Sequence, residues 1–228
     1  MRKLTTYLLF VAISAASTPL DAFAELKPLF GHNLILSQQP FNGTAMYGST
    51  TSLSTLATGD SIRGFSYDPS TKTATWVAVQ NGRSYLFRRG FDGRRFANDQ
   101  RRLALLSTGD NIRGWSVHCG VAHYVAIENG KAYLFRQPFN GTALHGANAK
   151  VSMLASGDVI RGFSWDGSSV YYGAIDNKQT VLFKAPFGGT RFAGSSKKTS
   201  ILSTGDSLRA LNFAPSSKAM QFVGAQQR

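Results

Sequence analysis

The chain has one cysteine in 228 residues, Cys119, so no internal disulfide can hold it and a packed core must supply its stability. Acidic side chains are scarce, 12 against 25 Lys and Arg, for a net charge of +13. That excess says little about fold, but it favours anionic partners such as acidic glycans, lipid headgroups or nucleic acid. The four histidines, His32, His118, His123 and His145, fall at unrelated places, and no Cys/His set has metal-ligand spacing, so no metal site is expected. H-E-x-x-H, G-x-S-x-G and P-loop strings are missing, so neither a catalytic motif nor a cofactor is indicated. Helix caps and helical periodicity are also absent over any useful length, which leaves an all-β reading.

The first residues are set apart from the fold. Met1-Arg2-Lys3 is a short positive start, Leu4 to Ala16 is apolar, and Ala22-Phe23-Ala24 is the small-x-small pattern a signal peptidase accepts. The apolar stretch is too short to span a bilayer. The pattern predicts a signal peptide over 1–24, cleavage before Glu25, and a periplasmic or secreted product of residues 25–228 with no transmembrane segment. No Cys follows the cleavage site, which argues against a lipoprotein anchor. Taking Arg2 and Lys3 from the 25 basic residues and Asp21 from the 12 acidic ones leaves a net charge of +12.

What the rest contains is a repeat. Gly-Asp-x-aliphatic-Arg recurs as Gly59-Asp60-Ser61-Ile62-Arg63, Gly109-Asp110-Asn111-Ile112-Arg113, Gly157-Asp158-Val159-Ile160-Arg161 and Gly205-Asp206-Ser207-Leu208-Arg209, the aspartates 50, 48 and 48 residues apart. A second marker, Phe followed by Asn, Asp or Gly and then Gly, recurs at Phe41, Phe91, Phe139 and Phe187 with the same spacings. Two independent markers keeping one period define a repeat architecture. Within one period the chain reads as four short β runs, in the third unit Ile160 to Trp165, Val170 to Ile175, Thr180 to Ala185 and Thr199 to Leu202. Asn81-Gly82, Asn129-Gly130 and Asp166-Gly167 offer the positive φ of tight hairpins.

Both ends fall in mid-repeat. Leu34 to Thr44 matches Ala132 to Thr142, and Leu208 to Ala225 matches Ile62 to Val79. The N-terminal piece therefore supplies the two later strands of a unit, the C-terminal piece the two earlier ones. An open stack has no reason to split a unit in this way, whereas a ring closes by sharing one and leaves only short, protected edges. The arrangement resembles a four-bladed β-propeller with units 60–109, 110–157, 158–205 and 206–228 completed by 25–59. Tyr67-Asp68, Trp165-Asp166 and the Phe-x-Gly turn are similar to YWTD-like and tachylectin-like repeats, and the blade count to hemopexin-like domains. The likeness is one of architecture and carries no ligand residues with it.

Candidate functional residues follow from charge and symmetry. Asp60, Arg63, Asp110, Arg113, Asp158, Arg161, Asp206 and Arg209 are placed near one mouth of the central channel. There they either fix turns and pair between blades or bind an ion or anion on the axis. Arg83, Arg88, Arg89, Arg94, Arg95, Arg101 and Arg102 put seven arginines into twenty residues, with Asp92 and Asp99 the acids among them. They read as a ligand surface for carboxylate, sulfate or phosphate, or as a solvated blade edge guarded by charge. Trp115 and Trp165 are expected in the inter-blade core and Trp76 to be the more exposed. Asn42-Gly43-Thr44 and Asn140-Gly141-Thr142 read as turns rather than glycosylation sequons. Cys119 reads as a small residue in a turn or core, the alternatives being an intermolecular disulfide or a thiol nucleophile served by His118 or His123. Asp68, Asp166 and Glu128 could form a glycosidase-like pair, though no spacing selects one. The functional expectation is a non-catalytic binding module for an acidic glycan, lipopolysaccharide or other polyanion; the alternatives are a protein-binding scaffold or inhibitor, and a hydrolase.

Overall fold

The computed structural model describes residues 33–58, 61–204 and 207–226. The proposed signal peptide, Asp60 and Asp206 lie outside the described residues. Two N-terminal strands, β1 (Asn33–Pro40) and β2 (Thr51–Thr58), are followed by three complete sheets. The first is β3 (Ile62–Asp68), β4 (Thr73–Gln80), β5 (Arg83–Gly90) and β6 (Arg101–Ser107). The second is β7 (Ile112–His118), β8 (Val121–Glu128), β9 (Lys131–Pro138) and β10 (Ala149–Ser156). The third is β11 (Ile160–Trp165), β12 (Ser169–Asp176), β13 (Gln179–Pro186) and β14 (Lys197–Thr204). The chain ends with β15 (Leu208–Ala214) and β16 (Ala219–Gln226), around a 3-10 turn at Pro215–Ser217. Each sheet is an antiparallel meander, and the fourth has the order β15-β16-β1-β2. The inner strands β3, β7, β11 and β15 pack in sequence and β15 returns to β3. The chain is a four-bladed β-propeller whose closing blade is shared between its ends.

Turn chemistry produces these hairpins. Asn81-Gly82 (φ 49° and 71°) and Asn129-Gly130 (49° and 70°) have two left-handed residues in a row, the geometry whose twist matches the flanking strands. Cys119-Gly120 (48° and 72°) does the same with cysteine in the first position. At Asp166-Gly167 only the glycine has a positive φ, 97°. Asp166 instead accepts the N–H groups of Ser168 and Ser169 through Oδ1, an Asx turn. Asn42 and Asn140 likewise cap their own turns, accepting N–H groups two and three residues on.

Four blades crowd the axis. A Cβ on Gly64 would lie 2.6 Å from Trp115 Cβ, and one on Gly114 would lie 2.5 Å from Phe163 Cβ. On Gly162 it would lie 2.8 Å from the Leu211 backbone N. Two residues further along the same strands, serine stitches each blade to the next. Ser66 Oγ accepts the Val117 N–H (3.0 Å), Ser116 Oγ that of Trp165 (3.0 Å) and Ser164 Oγ that of Phe213 (2.9 Å).

Apolar residues alternate onto the two faces of each sheet and form a core in every gap between blades. Leu34, Leu36 and Val223 of the closing blade meet Ile62, Phe65 and Trp76. Val77 and Leu86 meet Trp115 and Phe139, and Val125 and Leu134 meet Phe163 and Phe187. Tyr171 and Leu182 meet Phe41, Leu211 and Met220. The Phe of the second marker is thus a core residue each time. Its backbone N–H also bonds the first hairpin of its own blade, as Phe91 does to Lys72 O and Phe139 to Gly120 O.

Deletion of residues 25–58 removes β1, β2 and their share of two of these cores. The truncated chain is expected to lose cooperative thermal unfolding by circular dichroism. A sharp transition near that of the full chain would show that the other three blades stand without ring closure.

Candidate functional site

Arg63 and Arg113 are the best-defined members of the axial ring. Each extends a two-pronged fork to the aspartate of the next blade: Arg63 Nε and Nη2 to Asp110 Oδ1 and Oδ2 (both 2.7 Å), Arg113 Nε and Nη2 to Asp158 (2.6 and 2.7 Å). Their remaining nitrogen turns back to their own blade. Arg113 Nη1 donates to Ile112 O and to Asp110, and Arg161 Nη1 to Ile160 O and Asp158. Arg209 Nη1 donates to Leu208 O. The carboxylates of Asp110 and Asp158 therefore accept guanidinium groups, while the Asx-turn role expected of them falls to Asp68, Asp92 and Asp166.

Charge follows this geometry. Burial works to raise the Asp110 carboxyl, but Arg63 and Arg113 outweigh it and its pKa lies below the usual value. At Asp158 the hydrogen bond from Arg113 is the largest influence, and the pKa is again lowered against burial. The four arginines, with Asp110, Asp158 and Ile160, line a cavity of about 220 Å³ at the channel mouth.

The arginine run of the first blade is split by the hairpin that carries it. Arg83 starts β5 at the ring end of the blade, some five residues or about 17 Å from Arg88. Arg89 is spent on its own loop, donating to Ala97 O and to Asn98 Oδ1 (3.1 Å) and lying over Phe96. Arg102 lies over Tyr85, 4.8 Å from the ring centroid. Arg88 stands directly opposite Arg101 across β5 and β6, so the two side chains share a face. Like charges so placed destabilise a strand pair. Arg94 and Arg95 are exposed on the turn capped by Asp92, whose pKa is lowered chiefly by the N–H groups of Arg95 and Arg94. They line a groove of about 380 Å³ against Gln38, Thr51, Ser52 and Leu53 of the closing blade. No acidic residue lines that groove.

Other candidates are placed plainly. Trp115 is fully buried, its Nε1 donating to Thr75 Oγ1 (2.9 Å), and Trp165 is half-buried. Trp76, expected to be exposed, is 2% exposed; it stacks on Phe87, because the neighbouring closing blade covers that face of β4. Cys119 is an exposed turn residue. His123 is buried on the next strand, its Nε2 donating to Gly189 O (2.9 Å) and its ring against Trp165 and Phe187. Glu128 ends β8 at the ring end and pairs with Lys150 (2.5 Å). Asp68 and Asp166 sit at the other end of the first and third blades, tied into turns, so these three carboxylates do not meet.

Sequence reasoning missed the axial glycines, the stitching serines and a lysine group, Lys184, Lys197 and Lys198, two repeats on from Arg88, Arg101 and Arg102. Aligning the units position by position exposes all three sets. Among the described residues no three His, Cys, Asp or Glu side chains gather as metal ligands would, and no helix is long and apolar enough to cross a membrane.

No family model and no curated protein sequence matches the chain. Among solved structures it is similar to TolB from Acinetobacter baumannii, with 12% identity and a TM-score of 0.44, covering 86% of this chain and 50% of that one. The chain thus spans half the length of that TolB structure. It is also similar to a chain of a nidogen/laminin complex (11%, TM-score 0.41, covering 86% and 89%). A third is the PQQ-bound aldose sugar dehydrogenase of Streptomyces coelicolor (10%, 0.42, covering 90% and 97%). These likenesses concern the propeller architecture alone.

Two outcomes follow from the geometry. Asp158→Ala leaves Arg113 Nε and Nη2 without acceptors and is expected to cost about 2 kcal/mol, measured by urea unfolding; a change within error would remove the ring from the set of stabilising contacts. Burial is the main reason that His123 is pushed down from 6.5 to about 4. Its folded pKa lies below the unfolded one, so its contribution is complete above pH 6.5 and is lost as pH falls towards 4. At about 1.4 kcal/mol per pKa unit the loss is about 3 kcal/mol. His123→Gln, the residue type the closing blade uses at Gln221, should flatten that part of the stability profile, and an unchanged profile would assign the acid sensitivity elsewhere.

Proposed function

We infer that the protein is an exported, non-catalytic binding module whose first blade holds an acidic glycan or comparable envelope polyanion. The observation that carries this is the groove lined by Arg94 and Arg95 with neutral walls and no acid; the like-charged pair Arg88 and Arg101 adds positive charge on the opposite face of the same blade. Guanidiniums held at a cost to sheet stability, without a partner carboxylate, suit a ligand that brings its own negative charge. Export rests on the pattern of the first 24 residues, which fits a periplasmic or secreted protein.

The aromatic side chains favour a glycan over nucleic acid. Single-stranded nucleic acid is held by bases stacking on exposed rings. Here Phe87 and Phe91 are buried, and Phe96 is stacked on Phe91 beneath Arg89. Burial of Trp76 and Trp115 likewise takes away flat platforms for neutral sugars. The ring arginines Arg63 and Arg113 already fork onto aspartates of the protein, which leaves the blade grooves as the better contact surface.

A protein partner is the second reading, and one observation favours it. Leu105, Met153 and Ile201 occupy the same position of three outer strands and are 46%, 50% and 57% exposed. Apolar knobs repeated on blade edges suit a protein surface.

The test is binding of residues 25–228 to acidic and neutral oligosaccharides and to single-stranded DNA at two salt concentrations. Acidic oligosaccharide is expected to bind and to weaken steeply with salt. Arg94→Ala with Arg95→Ala should lower affinity about tenfold, or about 1.4 kcal/mol. Salt-insensitive binding, or DNA held more tightly than glycan, would overturn the reading.

A further inference from the structure

The groove of Arg94 and Arg95 recurs in every gap between blades, at the end away from the ring aspartates. One wall is the sixth residue of a blade's third strand with the outer-strand residue paired to it; the other is the turn after the marker Phe of the next blade. Strand alternation sets the first wall. Leu36, Leu86, Leu134 and Leu182, two residues before the sixth, each lie in the core of the gap shared with the next blade. The second wall has one shape throughout, because the residue after the marker Phe donates its N–H to the carbonyl three residues on, as Asp92 does to Arg95 O and Gly188 to Arg191 O (both 3.2 Å). Contacts across the gaps hold the walls together. Lys184 Nζ donates to Gly43 O (2.9 Å), and His123, opposite Arg136 across β8 and β9, donates to Gly189 O (2.9 Å).

Charge is spread unevenly over these walls, yet its sum per gap is constant. Between the closing and first blades, Gln38 and Thr51 face Arg94 and Arg95. Between the first and second, Arg88 and Arg101 face the turn positions Thr142 and Ala143. Between the second and third, Arg136 and Ala149 face Thr190 and Arg191. Between the third and closing blades, Lys184 and Lys197 face Thr44 and Ala45. Each gap thus has two cations and no acid at these positions, although the first blade supplies four of the cations and the closing blade none. Charge serving only solubility has no reason to balance gap by gap. A ligand lying between the two walls gives that reason, since it meets the same pair of cations whichever wall carries them.

We propose that the protein has four equivalent acidic-glycan sites, one in each gap, around the rim of the end away from the Asp/Arg ring, and grips a long polyanion at several of them at once. The proposal rests on the groove of Arg94 and Arg95 being an acidic-glycan site. Two cations bind a short fragment weakly, whereas sites on one rim act together on a long chain.

The probes are a heparin disaccharide and long-chain heparin, used with residues 25–228. NMR titration with the disaccharide is expected to shift the backbone amides of all four turns, read at Gly43, Gly93, Gly141 and Gly189. Affinity for long-chain heparin should fall roughly threefold for each of Arg95→Gln, Arg101→Gln, Arg191→Gln and Lys197→Gln, all at the surface. Combined, the four changes should lower it about a hundredfold, with the melting temperature unchanged. Lys131→Gln, exposed at the ring end of β9, removes the same charge outside the gaps and should leave affinity within error. Shifts at Gly93 alone, with a loss only for Arg95→Gln, would overturn the four-site proposal and leave the Arg94 and Arg95 site standing. A loss for Lys131→Gln equal to the others would also overturn it, reducing the binding to net charge. No binding of either probe would remove both readings.

Discussion

Four sheets about one axis bring their innermost strands closer than ordinary side chains permit. Everything at the centre follows from that crowding. Gly64, Gly114 and Gly162 stand where a Cβ would press on the neighbouring strand, and close approach puts serine hydroxyls within reach of the next blade's backbone. Just above the tight layer the channel opens, and there the arginines have room to fork onto the adjacent aspartates. One geometric constraint thus selects glycine, serine and arginine within four consecutive residues, Arg63-Gly64-Phe65-Ser66, and again in the next two blades.

The ring's topology was legible because two markers with one spacing were independent, and because Leu34 and Leu208 both open partial units. What escaped depends on a neighbour in space rather than in sequence. Trp76 looked exposed because nothing near it in the chain covers it; the cover is the closing blade, drawn from the two ends. The pairing of ring arginines between blades is as expected, but the turn role expected of Asp110 and Asp158 is not there, because both oxygens of each carboxylate accept from Arg63 or Arg113 of the preceding unit. The arginine run looked like one patch because it is contiguous in sequence, and the hairpin sends Arg83 to one end of the blade and Arg101 to the other. Each miss concerns where a side chain points, which strand alternation settles only once the partner strand is known.

Positive charge does two different things in this molecule. At the axis it is neutralised within the protein and joins blade to blade. On the flanks of the first and third blades it is left opposed to itself, Arg88 to Arg101 and Lys184 to Lys197, where sheet stability alone would select against it.

The shared blade also governs how the molecule responds to force. Asn33 pairs with Gln226 at one end of the β1–β16 ladder and Pro40 with Ala219 at the other, so both chain termini leave from the same edge. Tension applied between them loads the hydrogen bonds one pair at a time, like a zip, instead of shearing the ladder as a whole. The seam that closes the ring is therefore mechanically its softest line, although chemically it is built like the other three blades.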